Sequence, residues 1–336
     1  MVVEQKKILI CHRGALGDFV LTWPALAGLR HSLPGYSFVG IGRPAYQRLA
    51  VRLGLLDSFH DAEAAWLLDL FSGHFLPPPL GQPAGAILWL ADGADAAALL
   101  RRTASLPVVI VPPMPIGRLH AAEHHERAVR AHFPCNQPPG WLPQFDLLPT
   151  RPDEYGLIHP GSGSLAKNYP SLFYGQAAHL LRQAGCGDVG LILGPAEGQG
   201  CPSAGRARDG GSPTDGACGA AESTVDWLAR PTDVEELAGL LTGARIYVGN
   251  DSGVSHLAGI LGVSTIAFYK STDPAIWGVV GRRALCPVAA NEKFALETLG
   301  LLLLHWQRHG ELPIGIGSAV ALGEILTRTD KLRLRS

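Results

Sequence analysis

The chain has 336 residues, enough for two domains of ordinary size. Its 28 Lys and Arg against 29 Asp and Glu leave a formal net charge of −1, which argues against a nucleic-acid binder or a polybasic membrane anchor and favours small-molecule chemistry; nothing in the sequence points to a stable protein partner. No apolar run approaches the ~20 residues of a transmembrane helix, and residues 1–7 lead straight into a strand pattern without a signal-peptide core, so a cytoplasmic location is expected.

In chain order, residues 7–11 read as a strand that enters the loop His12-Arg-Gly-Ala-Leu-Gly-Asp18. A helical pattern follows over residues 19–31, kinked or restarted at Pro24. Asp18 stands where an N-cap belongs, and Gly14 and Gly17 let the backbone turn tightly. Strand patterns at 37–41, 86–90 and 108–111 alternate with helical ones at 44–53, 94–103 and 121–132, which is the signature of a doubly wound parallel sheet. Residues 134–152 hold six prolines and little periodicity, and form the expected linker between a first domain, 1–150, and a second, 151–315.

The second half repeats the alternation. Residues 156–159 form a strand pattern, the loop Pro160-Gly-Ser-Gly-Ser-Leu-Ala-Lys-Asn-Tyr-Pro170 leads to a helix over 172–183, and a strand at 189–193 ends in Gly194-Pro-Ala-Glu197. Residues 198–223 are rich in Gly, Ser, Ala and Asp with no hydrophobic period, and read as a mobile excursion. A helix at 232–241 precedes the stretch around which the chain is organised, Arg245-Ile-Tyr-Val-Gly-Asn-Asp-Ser-Gly-Val-Ser-His-Leu-Ala258. Here a short apolar strand runs into turn and cap residues at 250–253, and Val254, Leu257, Ala258 and Leu261 then recur at helical spacing. The opening of such a helix presents unpartnered N–H groups at its positive end, which suits a phosphate oxygen. Asp251 or Ser252 can cap it, Gly253 admits a ligand to the backbone, and Ser255 and His256 fall in the first turn, off the apolar stripe; the same residues also suit ordinary capping. Thr272-Asp-Pro274 opens a further helix after a strand at 265–269. Leu299 to Leu304 suit a buried helix face, and a last helix at 318–328 is expected to pack, within residues 316–336, on the first domain.

Ligands of open parallel sheets bind outside the carboxyl ends of the strands. If the two halves face each other, Asp18 from one and Lys167, Asp251 and His256 from the other share a cleft, with a carboxylate opposite a phosphate-binding wall.

Three blocks, in order and at domain-scale spacing, resemble glycosyltransferase family 9, the heptosyltransferases of lipopolysaccharide core synthesis. They are Arg13-Gly-Ala-Leu-Gly-Asp18 with Pro24-Ala-Leu; His159-Pro-Gly-Ser-Gly-Ser-Leu-Ala-Lys167 with Pro170; and Gly249-Asn-Asp-Ser-Gly253, His256-Leu-Ala and Thr272-Asp-Pro274 with Trp277-Gly. The resemblance implies an α/β GT-B fold of two facing Rossmann-like domains. It also implies inverting, metal-independent transfer of heptose from ADP-heptose to a core acceptor at the inner face of the inner membrane. Asp18 would be the general base on the acceptor hydroxyl, with Lys167 and His256 completing the catalytic set. The implied donor site comprises Ser162, Gly163, Ser164, Lys167, Gly194, Glu197, Asp251, Ser252, Gly253 and His256. Gly14, Ala15, Arg43, Arg101 and Arg118 are candidates for the acceptor. The chain departs from the family pattern at Ala15, at Leu21, at Val254-Ser255 and in the excursion at 198–223, and Lys270-Ser271 stands where Gly-Pro is usual.

No Asp-x-Asp pair suggests a divalent ion, and no cofactor is expected. His120-Ala-Ala-Glu-His124 has a zinc-type spacing but no evident third ligand. The six cysteines are scattered without a Cys-x-x-Cys pair and read as buried thiols. Alternative functions are transfer of another sugar or to another acceptor, a non-catalytic GT-B module that binds a nucleotide sugar, and a nicotinamide oxidoreductase, for which the Gly-x-Gly-x-x-Gly fingerprint is missing.

Overall fold

Lys-Ile-Leu-Ile-Cys-His forms the first strand of the computed structural model, β1 (Lys7–His12), buried on both faces after its first residue. Near-continuous apolar strands of this kind belong in parallel sheets covered by helices. The structure describes residues 6–149, 155–194 and 219–313. The chain divides into two compact units, Met1–Asp146 and Leu147–Ser336.

In the first unit β1 is followed by α1 (Leu16–Ser32), β2 (Ser37–Gly42), α2 (Pro44–Arg52), β3 (Ser58–Asp61), α3 (Leu67–Phe71), β4 (Gly85–Trp89), α4 (Ala94–Arg101), β5 (Val108–Ile110) and α5 (Ala121–Arg130). The five strands pair in parallel in the order β3-β2-β1-β4-β5. Strand β3 and helix α3 carry no readable period. Ser58–Asp61 is polar and only part-buried, and becomes a strand because the edge of β2 offers it a ladder.

Helix α1 corrects the expected start. It opens at Leu16, with Ala15 as an extended N-cap that makes no side-chain cap bond, so Asp18 lies inside the first turn and is not the cap. An acidic residue there is favoured by the positive helix end without closing any N–H itself. The helix also runs through Pro24 without restarting, within a segment buried from Phe19 to Leu29. Packing offsets the hydrogen bond that proline removes.

The second unit contains β6 (Tyr155–His159), α6 (Ser171–Gln183), β7 (Asp188–Ile192), α7 (Gly219–Glu222), β8 (Trp227–Ala229), α8 (Val234–Thr242), β9 (Ala244–Asn250), α9 (Gly253–Ile260), β10 (Ser264–Phe268), α10 (Pro274–Trp277), β11 (Ala284–Leu285) and α11 (Glu292–His309). Its sheet order is β11-β10-β9-β6-β7-β8, again parallel. Tyr169, Phe173, Tyr174 and Phe268 form an aromatic core between α6 and the sheet. Helix α11 is capped by Asn291 and ends at Gly310 in the left-handed region, and its Leu299, Leu302, Leu303 and Trp306 are buried, as a helix face at 299–304 requires.

Within the glycine-rich stretch 198–223, residues 219–222 form the helical turn α7, so that part is not an irregular excursion. Residues 195–218 and the helix expected at 318–328 lie outside the described residues.

In each sheet the chain order reverses beside the first strand: between β1 and β4 in the first unit, and between β6 and β9 in the second. Connections leave toward opposite sides of the sheet at such a point, which opens a crevice at the carboxyl ends of the two strands.

Candidate active-site residues in the two units

The reversal point of the second unit is bordered by the loop after β6 and by the start of α9 after β9. Lys167 Nζ reaches from the first to Asp251 Oδ2 at 2.6 Å, and Thr272 Oγ1 donates to the same oxygen at 2.5 Å. His256 Nε2 stands 3.9 Å from Asp251 Oδ1. Asp251 is therefore not the cap of α9; Ser252 is, its hydroxyl accepting from Ser255 N–H at 3.3 Å. By helix geometry the N–H groups of Gly253 and Val254 have no acceptor within α9, which leaves them available to an anion.

Ser255 and His256, expected off the apolar stripe, are both buried. Ser255 is held inside by polar partners: its hydroxyl donates to Asn250 O at 2.5 Å and lies 3.0 Å from Tyr247 Oη. The facing loop is fastened by Asn250, a member of the expected turn at 250–253 to which the sequence alone assigns no role. Its fully buried amide donates to Pro160 O and to Tyr174 Oη, each at 2.7 Å. A polar residue at the carboxyl end of a buried strand was the available signal. Ser162 Oγ lies 2.6 Å from both Ser164 O and Asn168 Oδ1, and with one proton it donates to one of them at a time. Gly163 and Ser164 are exposed, with open space beside the Gly163 Cα. Gly194 follows β7 at the same sheet edge and is half-buried; Glu197 lies outside the described residues.

In the first unit, Asp18 is exposed and makes no hydrogen bond or ion pair among the described residues. A Cβ placed on Gly14 would lie 2.9 Å from His12 Cε1 and 3.3 Å from Asp18 Oδ2, so glycine lets the loop pass the imidazole and the carboxylate. Ala15 is exposed at the helix start. Arg43 follows β2 and Arg118 follows β5, both exposed and both beyond carboxyl ends of strands. Arg101 does not join them: it lies in the last turn of α4 and donates to Val108 O at 2.9 Å, at the start of β5 and hence at the opposite edge. The histidines of the zinc-type spacing serve separate local roles. His120 Nδ1 caps α5 by accepting from Ala122 N–H, and His124 Nε2 lies 2.9 Å from Pro112 O. Cys11 and Cys186 are buried, burial pushing their thiols up to about 12 and about 11, whereas Cys135 and Cys286 are only half-buried.

Three buried histidines set an acid limit. Burial pushes His12 down to about 4, helped by the Arg43 charge. Burial pushes His125 down to about 3, helped by His124, His12 and His120, and burial alone brings His159 to about 4. Each folded value lies below the ordinary one near 6.5, so the unfolded chain takes up protons first as the pH falls. Their stabilisation is complete above about pH 6.5 and is lost as the pH drops toward 4. Between about pH 7.5 and 5.5 each histidine should cost roughly 1 kcal/mol, and two of the three stand in the first unit. Urea midpoints at the two pH values are expected to fall more for that unit, and equal midpoints would refute the assignment.

Residues 136–297 match the family model for glycosyltransferase family 9 (heptosyltransferase). A stretch of 71 residues is 35% identical to lipopolysaccharide heptosyltransferase 1 of Salmonella typhimurium, covering 21% of this chain and 22% of that protein, so the similarity spans about a fifth of the curated relative's length. The structure of E. coli heptosyltransferase WaaC with ADP superposes with a TM-score of 0.65 at 20% identity, over 90% of this chain and 99% of that one. A glycosyl transferase family 9 structure from Veillonella parvula gives 0.65 at 14% identity, over 100% and 99%. At these identities the structural likeness is one of fold. The loop after β6 and the start of α9 fall inside the family match, whereas Asp18 falls outside it. The chain carries a glycosyltransferase family 9 domain over residues 136–297 and, in its two parallel sheets flanked by helices, has the GT-B fold of the family's heptosyltransferases.

Proposed function

We propose that this protein is an inverting glycosyltransferase that moves heptose from ADP-heptose to a hydroxyl of the lipopolysaccharide core. The observation that carries the reading is the convergence of Lys167 with the start of α9 at the reversal point between β6 and β9. A diphosphate bound there meets an ammonium group and free N–H donors. As the sugar–phosphate bond breaks, its electron pair passes to the departing diphosphate, and donors aimed at that charge lower the barrier more than they favour the bound substrate. The acceptor oxygen forms the new bond to the anomeric carbon and gives its proton to Asp18, whose carboxylate has no hydrogen-bond or ion-pair partner among the described residues. No metal is invoked, since Asp251 is engaged by Lys167 and Thr272. The choice of adenine and heptose rests on the relatives: one is a lipopolysaccharide heptosyltransferase, and the WaaC structure contains ADP. No helix among the described residues is long and apolar enough to cross a membrane, and a lipid-linked acceptor would be met at the inner membrane surface.

Thermal unfolding with ADP, UDP, GDP and NAD tests this reading. A site filled at ~100 times its dissociation constant adds about 2.7 kcal/mol. Stabilisation by ADP alone is expected, followed by ADP release when heptose-deficient core and ADP-heptose are supplied together. A response to UDP or GDP instead would change the donor and keep the chemistry. No response to any of the four would overturn the nucleotide-sugar reading.

A further inference from the structure

Two residues beyond β10, the chain carries a second lysine at the same sheet edge. Lys270 Nζ donates to Asn168 O at 3.3 Å and stands 5.6 Å from the centre of the Tyr169 ring. Because β9 lies between β10 and β6, this side chain spans the carboxyl end of β9 to touch the loop after β6. It thus crosses the reversal point from the side opposite Lys167, whose own ammonium is bound two residues from the α9 start and shares Asp251 with Thr272. The two lysines differ in their charge balance. Lys167 is paired with Asp251, so the pair carries no net charge, whereas Lys270 is exposed and has only a neutral carbonyl and a ring face as partners among the described residues.

A nucleotide sugar brings a dianionic diphosphate, and cleavage leaves a still more negative product. The neutral Lys167–Asp251 pair offers donors to that charge but does not balance it. We propose that Lys270 is a second phosphate-binding cation of the donor site, leaving Asn168 O to close on the diphosphate. This inference rests on the nucleotide-sugar reading above. The carbonyl bond it gives up is neutral and solvent-accessible, whereas the bond it gains is charge-assisted.

Binding of ADP, AMP, adenosine and inorganic pyrophosphate by wild type, Lys270→Ala, Lys270→Arg and Lys167→Ala, titrated calorimetrically at low and high salt, tests the proposal. For Lys270→Ala the affinity for ADP and pyrophosphate should fall about 5- to 20-fold at low salt, with adenosine unchanged, and the difference should shrink at about 1 M salt. Lys270→Arg should retain most of the affinity. Binding of ADP by Lys270→Ala within about twofold of wild type, while Lys167→Ala loses it, would overturn the role of Lys270 and leave the donor-site reading standing. An equal loss for adenosine would also overturn it, since the effect would then not be on phosphate. If wild type binds none of the nucleotides, the reading of the site fails first and the proposal falls with it.

Discussion

Replacing Asp18 by Asn is expected to lower the rate of sugar transfer about 10²- to 10⁴-fold, the range for losing a positioned base, while ADP binding stays at the wild-type level. The side chain sits in the first turn of α1, is exposed, and is engaged by no donor among the described residues. A carboxylate already saturated by hydrogen bonds would be a poor proton acceptor, whereas this one is not committed. The competing explanation is that Asp18 merely complements the positive end of α1, a contribution of roughly 0.3–1 kcal/mol to stability. The two separate cleanly: a helix-end role predicts a slightly lower melting temperature and an unchanged rate, and a base predicts the reverse. Steady-state ADP release with saturating donor and acceptor, alongside a melting curve of each variant, decides between them.

Lys167→Ala should weaken ADP binding about 10- to 100-fold and remove most of the thermal stabilisation by ADP. Two effects act together. The diphosphate loses a charge-assisted partner, and Asp251, almost wholly buried, keeps Thr272 as its close donor with His256 Nε2 at 3.9 Å. An Asp251 carboxylate left without its cation would itself repel the incoming phosphates. Adding Asp251→Asn to Lys167→Ala should therefore restore part of the affinity, which a simple loss of folding would not allow. Unaltered ADP binding in Lys167→Ala would remove this lysine from the donor site and leave it as the counter-ion of a structural carboxylate.

Much of the architecture is legible from local patterns because parallel strands are buried on both faces. Ile8 to Cys11, Leu157 to Ile158 and Ile246 to Val248 each give an uninterrupted buried apolar run inside a strand. The loops are legible too: Gly14, Ser162 to Ser164 and Ser252-Gly253 are residues whose backbone and hydroxyl chemistry matters wherever they stand. The start of α1 was misplaced because Asp is a common N-cap, and no local rule says that Ala15 will take the extended conformation instead. Strand β3 escaped notice because an edge strand is stabilised by its neighbour's ladder more than by its own side chains.

By itself, then, the sequence determined that strands and helices alternate in two halves, which loops follow the buried strands, and that those loops hold a carboxylate, a lysine and a helix start suited to phosphate. The tertiary structure alone decided which of these meet. Lys167 and Asp251 are 84 residues apart, and Lys270 and Asn168 are 102 apart; each pair is brought together by the order β10-β9-β6. Arg101 went to the far edge for the same kind of reason, since a crossover helix runs back along the sheet and its last turn ends beside the start of the next strand. Strand order is set by long-range pairing and packing, for which helical and strand periods carry no information. Burial completed the division: whether a histidine at a strand end is solvated or pushed down to about 4, as His12 and His159 are, depends on what packs over it.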